Sequence, residues 1–590
     1  MSVGPVIARR APVAGIADPL LDSVRLNPVR AIAVAIVIVS LLLLVLRPLG
    51  YIAYNSLHDD LSGSWTLANY GRILSSTTLL RPILNSLVLG LAIAATSVFF
   101  GVPMAWLVAR TNMPAREWVK ALTLTAFVTP TFIGALAWIM IAAPNSGWVN
   151  LIWRNLTGAS WPVLDIYSMG GAIFVGAIYA VPFAFTIVAA ALDEMAVELE
   201  DAATTLSSGT LRTMLRITLP LAAPAIYASF ILSFIQGVTL FGVPAFLLTP
   251  VRISVVTTKL AEFYQAFPPE VFLAAAYCVP LLGLTAILFY VRKRLLGRKQ
   301  FVVISGKARG SRRIDIGRWR WPALAISLFV PLVAVILPYA TLIAISLSKA
   351  WGLGLRPDNL TLDWYAYALF RNSQTRTAIV NSLVYAGGSA TLCILLGAIT
   401  AYIVERRLFR GAAWLGGLAS APIVIPGIVL SVGFFAAYTQ PPLRLYGTAA
   451  ILIAAFTATF LPIAYAHAGT LLKGISRDLE RAARAVGAGE ARTFVSITFP
   501  LMRVGLLSGW LLVFIPVTRE LSVAIFLVTP STNVMATLIY NFQDGGNYEA
   551  VCALSVVLLI VTFMVVLGTR YVSTRLSSPR AQSLLQGSAT

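Results

Sequence analysis

Long apolar runs separated by short polar segments dominate this chain. About twelve runs lie between residues 31 and 569, and each is long enough to cross a bilayer as a helix, which takes about 20 residues. The polar segments between them must lie outside the hydrocarbon. The pattern predicts an all-α, polytopic membrane protein with about 12 transmembrane helices at these approximate positions: 31–51, 84–109, 121–142, 171–192, 221–243, 271–291, 322–347, 380–404, 413–438, 448–470, 503–525 and 549–569.

The same pattern occurs twice along the chain. A shift of 280 positions aligns the segment that begins at Glu200 with the one that begins at Glu480, and a shift of 296 aligns Arg110 with Arg406. The difference between the two shifts predicts a longer segment in the first half, around residues 143–170. Because each half contains an even number of spans, both halves enter the membrane from the same side. The chain is therefore predicted to form parallel repeats around a pseudo-twofold pathway.

Basic residues indicate which side of the membrane each segment occupies. The segment from Arg292 to Arg320 contains eleven Lys and Arg residues and one acid, Asp315. Between two spans, such charge marks the cytoplasmic side and favours contact with anionic membrane lipid over binding of nucleic acid. Both termini are then cytoplasmic as well. The predicted domains are a tail at 1–30, a first transmembrane domain at 31–291, a basic linker at 292–321, a second transmembrane domain at 322–569 and a tail at 570–590.

Two polar segments, at about 195–221 and 475–501, each have the pattern of helix, turn and helix. Both resemble the EAA loop of type I ABC-importer permeases, which reads Glu-Ala-Ala, three residues, Gly and then Ile-x-Leu-Pro. The two copies depart from that motif at the position of the glutamate. Asp201 occupies this position in the first copy, and Arg481 occupies it in the second. The residues assigned to these loops are Glu200, Asp201, Ala202, Ala203, Ser207, Gly209, Pro220, Glu480, Arg481, Ala482, Ala483, Gly487, Gly489 and Pro500.

The resemblance implies a division of labour between this chain and partner subunits. In that family the loop forms a coupling helix, which lies in a groove of a cytoplasmic ATPase and passes its movement to the membrane helices. It implies two copies of the ATPase subunit, with ATP and Mg²⁺ bound there, and a periplasmic solute-binding protein on the outer loops. The implied mechanism is ATP-driven alternating access in the bacterial cytoplasmic (inner) membrane.

Composition and motifs argue against an enzyme. The chain is 58% hydrophobic and only 11% charged, whereas soluble domains have about 25% charged residues. No phosphate-binding loop is present, since Gly306-Lys307 is followed by Ala308, so ATP hydrolysis is expected in a separate subunit. The three cysteines lie inside apolar runs without a pairing or metal-binding pattern. No catalytic residue, metal site or cofactor of its own is predicted.

Two adjacent charges, Arg519 and Glu520, interrupt the apolar run 510–528. Charges at membrane depth are costly unless they are paired or face water. One interpretation is that they lock helices together through separate partners, since neighbours on a helix do not face each other. The other is that Glu520 lines the pathway or gate, together with Gln236, Thr239 and Gly242 from the equivalent part of the first half, where Leu240 replaces the acid.

Three stretches around these residues are similar to segments of fused, two-bundle permeases of the iron(III) type. They are Phe241–Leu247, Val255–Lys259 and Arg519–Ile525. This resemblance implies ferric iron as the solute, and related permeases that carry thiamine, polyamines or 2-aminoethylphosphonate define the alternatives. An ion-coupled secondary transporter is the alternative of another class, although it has no need of two EAA loops.

Overall fold

The computed structural model describes residues 28–59, 63–195, 198–206, 208–297, 313–354 and 356–576. Ser207, most of the two predicted tails and the centre of the predicted linker lie outside these residues. The predicted all-α membrane architecture is confirmed. The helices of the first half are α1 (Pro28–Ser56), α2 (Thr77–Arg110), α3 (Arg116–Val128), α4 (Thr131–Ala142), α5 (Met169–Glu194), α6 (Glu198–Thr205), α7 (Thr210–Thr239), α8 (Val256–Gln265) and α9 (Val271–Gly297).

The second half repeats this order of helices. Short additional helices, such as Ala68–Ser75, Trp148–Thr157 and Gly242–Leu247, lie in the connections. The main helices are α10 (Gly317–Ser346), α11 (Ser373–Glu405), α12 (Ala412–Val424), α13 (Gly427–Tyr438), α14 (Ala449–Lys473), α15 (Arg477–Ala485), α16 (Glu490–Thr518), α17 (Met535–Asp544) and α18 (Tyr548–Leu576).

One span in each half is broken, where the sequence predicted single helices at 121–142 and 413–438. Helices α3 and α4 meet at 100°, and α12 and α13 meet at 111°. Each break precedes a proline, Pro130 or Pro426. Proline lacks an N–H and forces the preceding residue into an extended conformation, which Thr129 and Ile425 adopt. The two prolines match at the shift of 296, so the repeat itself carried this signal.

Each broken pair still makes one crossing. Helix α3 begins a few residues after Arg110, whose side chain donates to the carbonyl oxygen of Met195 at the end of α5. Helix α4 ends at Ala142, whose carbonyl accepts from Ile166 just before α5 begins. The pair therefore starts at one end of α5 and finishes at the other. With each broken pair counted as one span, the described residues contain twelve candidate spans.

The first helix of each half packs against the other half. In α1, Val37 and Leu41 share an apolar cluster with Leu415 and Leu461 of the second half. Conversely, Tyr179 in α5 donates to the carbonyl of Ala334 in α10 at 2.9 Å. The first span of each half therefore packs against the opposite half as well as its own, which we call the exchange of α1 and α10, and the largest core cluster contains residues of both halves.

The end of the linker is attached to the first half. A short parallel bridge joins Thr111 to Ile314, and the side chain of Asn112 donates to Asp315 at 2.7 Å. This bond and one from the Gly317 N–H hold the pKa of Asp315 below its usual range. The chain thus returns from the linker to the membrane face that carries Arg110. Helix α1 begins on this face too, because Arg30 lies near Glu480, and we call it the EAA face.

Two glycines that match in the repeat allow close contacts between helices. A Cβ on Gly101 in α2 would lie 2.7 Å from the Cβ of Ala184 in α5. A Cβ on Gly397 in α11 would lie 2.9 Å from the backbone of Ala464 and Tyr465 in α14. Small residues allow such approach in membranes, where dispersion contacts drive helix packing.

We expect Gly397→Ala to destabilise the protein by about 1–3 kcal/mol, because the new methyl group would force α11 and α14 apart. Gly387→Ala is the matched control, since it lies on the same helix and its Cβ would meet nothing within 4 Å. Thermal unfolding of the purified chain in detergent measures the difference. Equal midpoints for the two variants would contradict this packing.

Candidate coupling loops and central cavity

A buried ion pair attaches the first EAA helix, α6, to the end of span α2. The guanidinium of Arg110 lies 3.7 Å from the carboxylate of Glu200, and each side chain is only 4% exposed. Thr218, at the base of α7, donates to the same carboxylate at 2.6 Å. The glutamate thus faces the bundle and connects α2, α6 and α7.

The second loop repeats this arrangement with a shorter ion-pair distance and a longer threonine bond. Arg406 donates through Nε and Nη2 to one oxygen of Glu480 at 3.0 and 2.9 Å. Thr498 donates to that oxygen at 3.2 Å. Burial of two charges is expensive, and such a pair is retained only when hydrogen bonds satisfy it. The three residue types recur at the repeat spacing. This buried cluster of arginine, glutamate and threonine, which we call the clamp, is therefore a twofold feature of the structure.

The residues that follow each glutamate point in different directions. Ala203 and Ala483 are buried at 8% and 9% exposure, whereas Asp201, Ala202, Arg481 and Ala482 are exposed. The motif acid and its Arg481 replacement therefore face outward, and the preceding glutamate faces inward. Sequence reasoning grouped all of these as coupling residues, and only the fold separates the two faces.

Exposed apolar side chains form a stripe along one exposed side of each helix, with Ala202 and Leu206 at the first helix and Leu479, Ala482 and Val486 at the second. Leu206 is 83% exposed beside α6, while Leu479 and Val486 are 48% and 85% exposed on and beside α15. Spacings of three and four residues keep Leu479, Ala482 and Val486 on one side. Exposed apolar patches outside a membrane mark sites of protein contact.

Glycine and proline shape the turn that follows each helix. Gly487 adopts φ +86, which favours glycine, and Gly209 and Gly489 precede the next helices. Helix α7 continues through Pro220, although a proline inside a sequence pattern usually indicates the end of a helix. A wide π turn at Met214–Thr218 comes directly before this proline, and Phe494–Thr498 comes likewise before Pro500. Such a bulge accommodates the missing N–H without ending the helix.

A central cavity of about 340 Å³ lies where four helix breaks meet. Two breaks precede α4 and α13, and two more follow α7 and α16. Irregular backbone at membrane depth is tolerated where it is buried or lines a cavity. Every predicted pathway residue lines this cavity, together with aromatic and hydroxyl side chains from both halves: Gln236, Thr239, Gly242, Arg519 and Glu520, with Phe127, Thr129, Tyr179, Phe183, Thr459, Phe460 and Ser522.

Arg519 connects the two halves across this cavity. It follows the end of α16 and is not inside a helix, contrary to the sequence expectation. Its guanidinium donates to the carbonyl oxygens of Phe127, at 3.1 Å, and Val128 at the end of α3. A break in the first half therefore supplies the acceptors for a charge in the second half.

Glu520 has a different partner, as the sequence predicted. Its carboxylate accepts from the backbone N–H of Val523 at 3.2 Å, and no ion pair with Arg519 forms in the described structure. The side chain is half-buried and borders the cavity opposite Leu240. Gly242 is required nearby, because a Cβ there would lie 2.7 Å from that of Phe132. Both interpretations of the charged pair are compatible with this geometry, since Arg519 joins helices and Glu520 borders the cavity.

Metal ligands do not cluster in the described residues. No group of three or more His, Cys, Asp or Glu side chains could hold a metal ion there. His467 bonds the carbonyl oxygen of Gly505 at 2.8 Å and so joins α14 to α16. The three cysteines are buried and unpaired. A solute in the central cavity would therefore meet one carboxylate, Glu520, and one guanidinium, Arg519, among hydroxyl and aromatic groups.

The fold and these sites define a membrane transport permease, with twelve candidate spans, two equivalent loops on one face and a cavity between the halves. A family model described as "Binding-protein-dependent transport system inner membrane component" matches residues 97–301 and 393–578, more than half of the chain. The chain therefore belongs to this family. It is a permease subunit of a binding-protein-dependent ABC importer and a multi-pass protein of the inner membrane.

The chain is similar to permeases that are named for transport of several different solutes. The chain is 26% identical over 518 residues to the ferric transport system permease protein FbpB of Actinobacillus pleuropneumoniae, covering 87% of this chain and 74% of that protein. It is 26% identical over 260 residues to PhnV of Salmonella paratyphi A, named for 2-aminoethylphosphonate transport, covering 44% and 96%. It is 27% identical over 220 residues to the spermidine/putrescine permease PotC of Escherichia coli K12, covering 37% and 82%.

We expect Glu480→Gln to loosen α15, because the substitution leaves the Arg406 guanidinium buried without a counter-charge. Breaking a buried pair in this way costs about 3–5 kcal/mol. Hydrogen exchange of the α15 amides measures the effect. Asp478→Asn is the control, since the exposed Asp478–Arg481 pair at 3.1 Å contributes about 1 kcal/mol or less. Equal exchange in both variants would exclude a clamp at Glu480.

Proposed function

We propose that this chain is the permease of an ATP-driven importer of ferric iron. Two ATPase copies, with their ATP and Mg²⁺, would dock on the EAA face, which is then cytoplasmic together with the linker and both termini. A periplasmic solute-binding protein would deliver iron to the opposite face. The observation that carries the proposal is the twofold pair of clamped helices with exposed apolar stripes.

The clamp supports a mechanical role for α6 and α15. A helix held to a span only by its exposed side chains would tilt under load, whereas a buried Arg–Glu–Thr cluster resists displacement. Each cluster joins the partner-facing helix to two long spans, for example α11 and α16 at Glu480. Movement imposed on the stripe is thus passed to the spans around the cavity.

The contacts between the halves support alternating access. Arg519 and the Phe127 and Val128 carbonyls belong to different halves, so relative rotation of the halves must change this contact. Pro130 and the break after Thr239 border the same cavity. Broken helices at this depth also occur in ion-coupled secondary transporters, which makes that class the alternative. A dependence of uptake on ATP rather than on an ion gradient separates the two.

Ferric iron is the solute that the relatives support best. The FbpB similarity extends over most of this chain, whereas the PhnV and PotC similarities cover less than half of it. The other solutes considered are 2-aminoethylphosphonate, polyamines and thiamine.

The face opposite the EAA face is the proposed site for the binding protein. We assign four segments between spans to it, of which 52–80, 143–170 and 348–376 carry strongly exposed aromatic residues: Trp65, Trp161 and Phe370 are 72%, 58% and 74% exposed. In the fourth segment, 526–548, Met535–Ile539 is buried. The proposed docking surface therefore uses chiefly the first three segments.

We expect charge in each apolar stripe to remove one ATPase subunit. Leu206→Asp should reduce the copurified ATPase from two copies to one, and Leu206→Asp combined with Val486→Asp should remove both, because the new carboxylates would be desolvated in the interface. Leu362→Asp is the control, being 68% exposed on the opposite face. Native mass spectrometry of the purified complex counts the subunits. Two ATPase copies in the double variant would refute this docking mode.

The solute is tested by uptake into proteoliposomes that contain the chain, its ATPase and its binding protein. We expect ATP-dependent, vanadate-sensitive accumulation of radioactive ferric iron. The same vesicles should be tested with labelled putrescine, thiamine and 2-aminoethylphosphonate. Uptake of one of these compounds and not of iron would refute ferric iron as the solute. Uptake driven by an ion gradient without ATP would refute the importer mechanism.

A further inference from the structure

A basic pocket of about 210 Å³ lies beside α15 on the EAA face. Six arginines and two glutamates line it, and Arg406 already neutralises Glu480. Among the described residues, the side chain of Arg407 has neither a hydrogen bond nor an ion pair. The arginines are Arg30, Arg406, Arg407, Arg477, Arg481 and Arg484.

An apolar cavity of about 240 Å³ continues from the basic pocket. Arg30, Tyr402, Leu408 and Glu490 line both. The apolar part passes between α1 and α11, two membrane spans, and is bordered by side chains of the hydrocarbon region: Val29, Ala33, Ile399 and Ile403. An occupant of the whole groove must therefore be anionic at one end and hydrocarbon at the other.

The sequence of the first half lacks four of the six arginines of the basic pocket. At the repeat shifts, Val197, Asp201, Thr204 and Thr111 stand in place of Arg477, Arg481, Arg484 and Arg407. Thr111 also pairs with Ile314 of the returning linker. The basic pocket is thus a specific feature of the second half and not a consequence of the EAA fold.

The pocket also lies away from the apolar stripe of α15. At 100° per residue, Arg477, Arg481 and Arg484 occupy the side of the helix opposite Leu479, Ala482 and Val486. An ATPase on the stripe would leave the groove open to the membrane. Basic pockets between spans at a membrane surface suit phospholipid headgroups.

We infer that this groove binds an anionic glycerophospholipid, with its phosphate among Arg407, Arg477 and Arg484 and one acyl chain along Ala33 and Ile403. The lipid would fill the space between α1 and the second EAA helix. It would thereby connect the exchanged N-terminal span to one coupling loop only.

Native mass spectrometry of the full chain in detergent tests the inference with dioleoyl phosphatidylglycerol and, for comparison, dioleoyl phosphatidylcholine. We expect the wild type to retain one phosphatidylglycerol preferentially. Each arginine removed in Arg407→Gln, Arg477→Gln and Arg484→Gln should weaken binding about fivefold. The charge-matched control is Lys293→Gln, Arg294→Gln and Arg318→Gln, which lie outside the groove. An equal loss in the control set would overturn the site.

A second variant tests the apolar part without changing charge. Ala33→Trp fills the groove, so it should abolish phosphatidylglycerol retention, and soluble glycerol phosphate should not compete with the lipid in the wild type. Retention by Ala33→Trp, or full competition by glycerol phosphate, would mean a simple anion site. Loss of ATPase copurification from the arginine variants with lipid retention unchanged would make the cluster an ATPase contact. Each of these results would overturn the inference.

Discussion

The buried pairing of an arginine at the end of a long span with the glutamate of an EAA helix constrains the rest of this structure. The side chains of Arg406 and Glu480 are only 9% and 2% exposed. Neither charge would be tolerated there without the other, because desolvation costs several kcal/mol per ion. The loop helix therefore stays with its span, and the threonine of the next span completes the cluster. Through this attachment, a short surface helix becomes part of the membrane bundle. The apolar stripe on its outer side remains available to a partner.

The second constraint is the fate of backbone groups at the helix breaks. Pro130 and Pro426 interrupt spans that hydropathy alone presents as continuous, and the ends of α7 and α16 add two further interruptions. Free carbonyl groups in hydrocarbon are costly, so the breaks converge on one interior cavity. There Arg519 satisfies carbonyls from the other half. The same chemistry that makes the breaks tolerable also gathers the polar residues of the proposed pathway.

Exchange of α1 and α10 makes the halves interdependent. The linker returns beside Arg110, whereas α1 begins beside Arg406 and Glu480. Each EAA loop is consequently bordered by a span from the opposite half. The two surroundings differ, since the end of the linker, with its bridge to Thr111, lies at the first loop and an arginine-lined groove at the second. A pseudosymmetric transporter can thereby have unequal coupling loops, and the proposed lipid would act at one of them.

The sequence by itself determined the membrane architecture, the repeat and the polar loops, because each depends on local residue type at a fixed spacing. It also predicted Gln236, Thr239, Gly242, Arg519 and Glu520 as pathway candidates, because two of them are charges in an apolar run and the other three lie at the equivalent place in the first half, and the structure brings all five to one cavity. It did not separate the inward Glu480 from the outward Arg481, or reveal the bends, although the matching prolines carried that signal. The exchange of α1 and α10 had no local signal, because any apolar helix face can pack against several others. Tertiary structure decided these points, since the energy of a buried charge or a close helix contact depends on groups that lie far away in sequence.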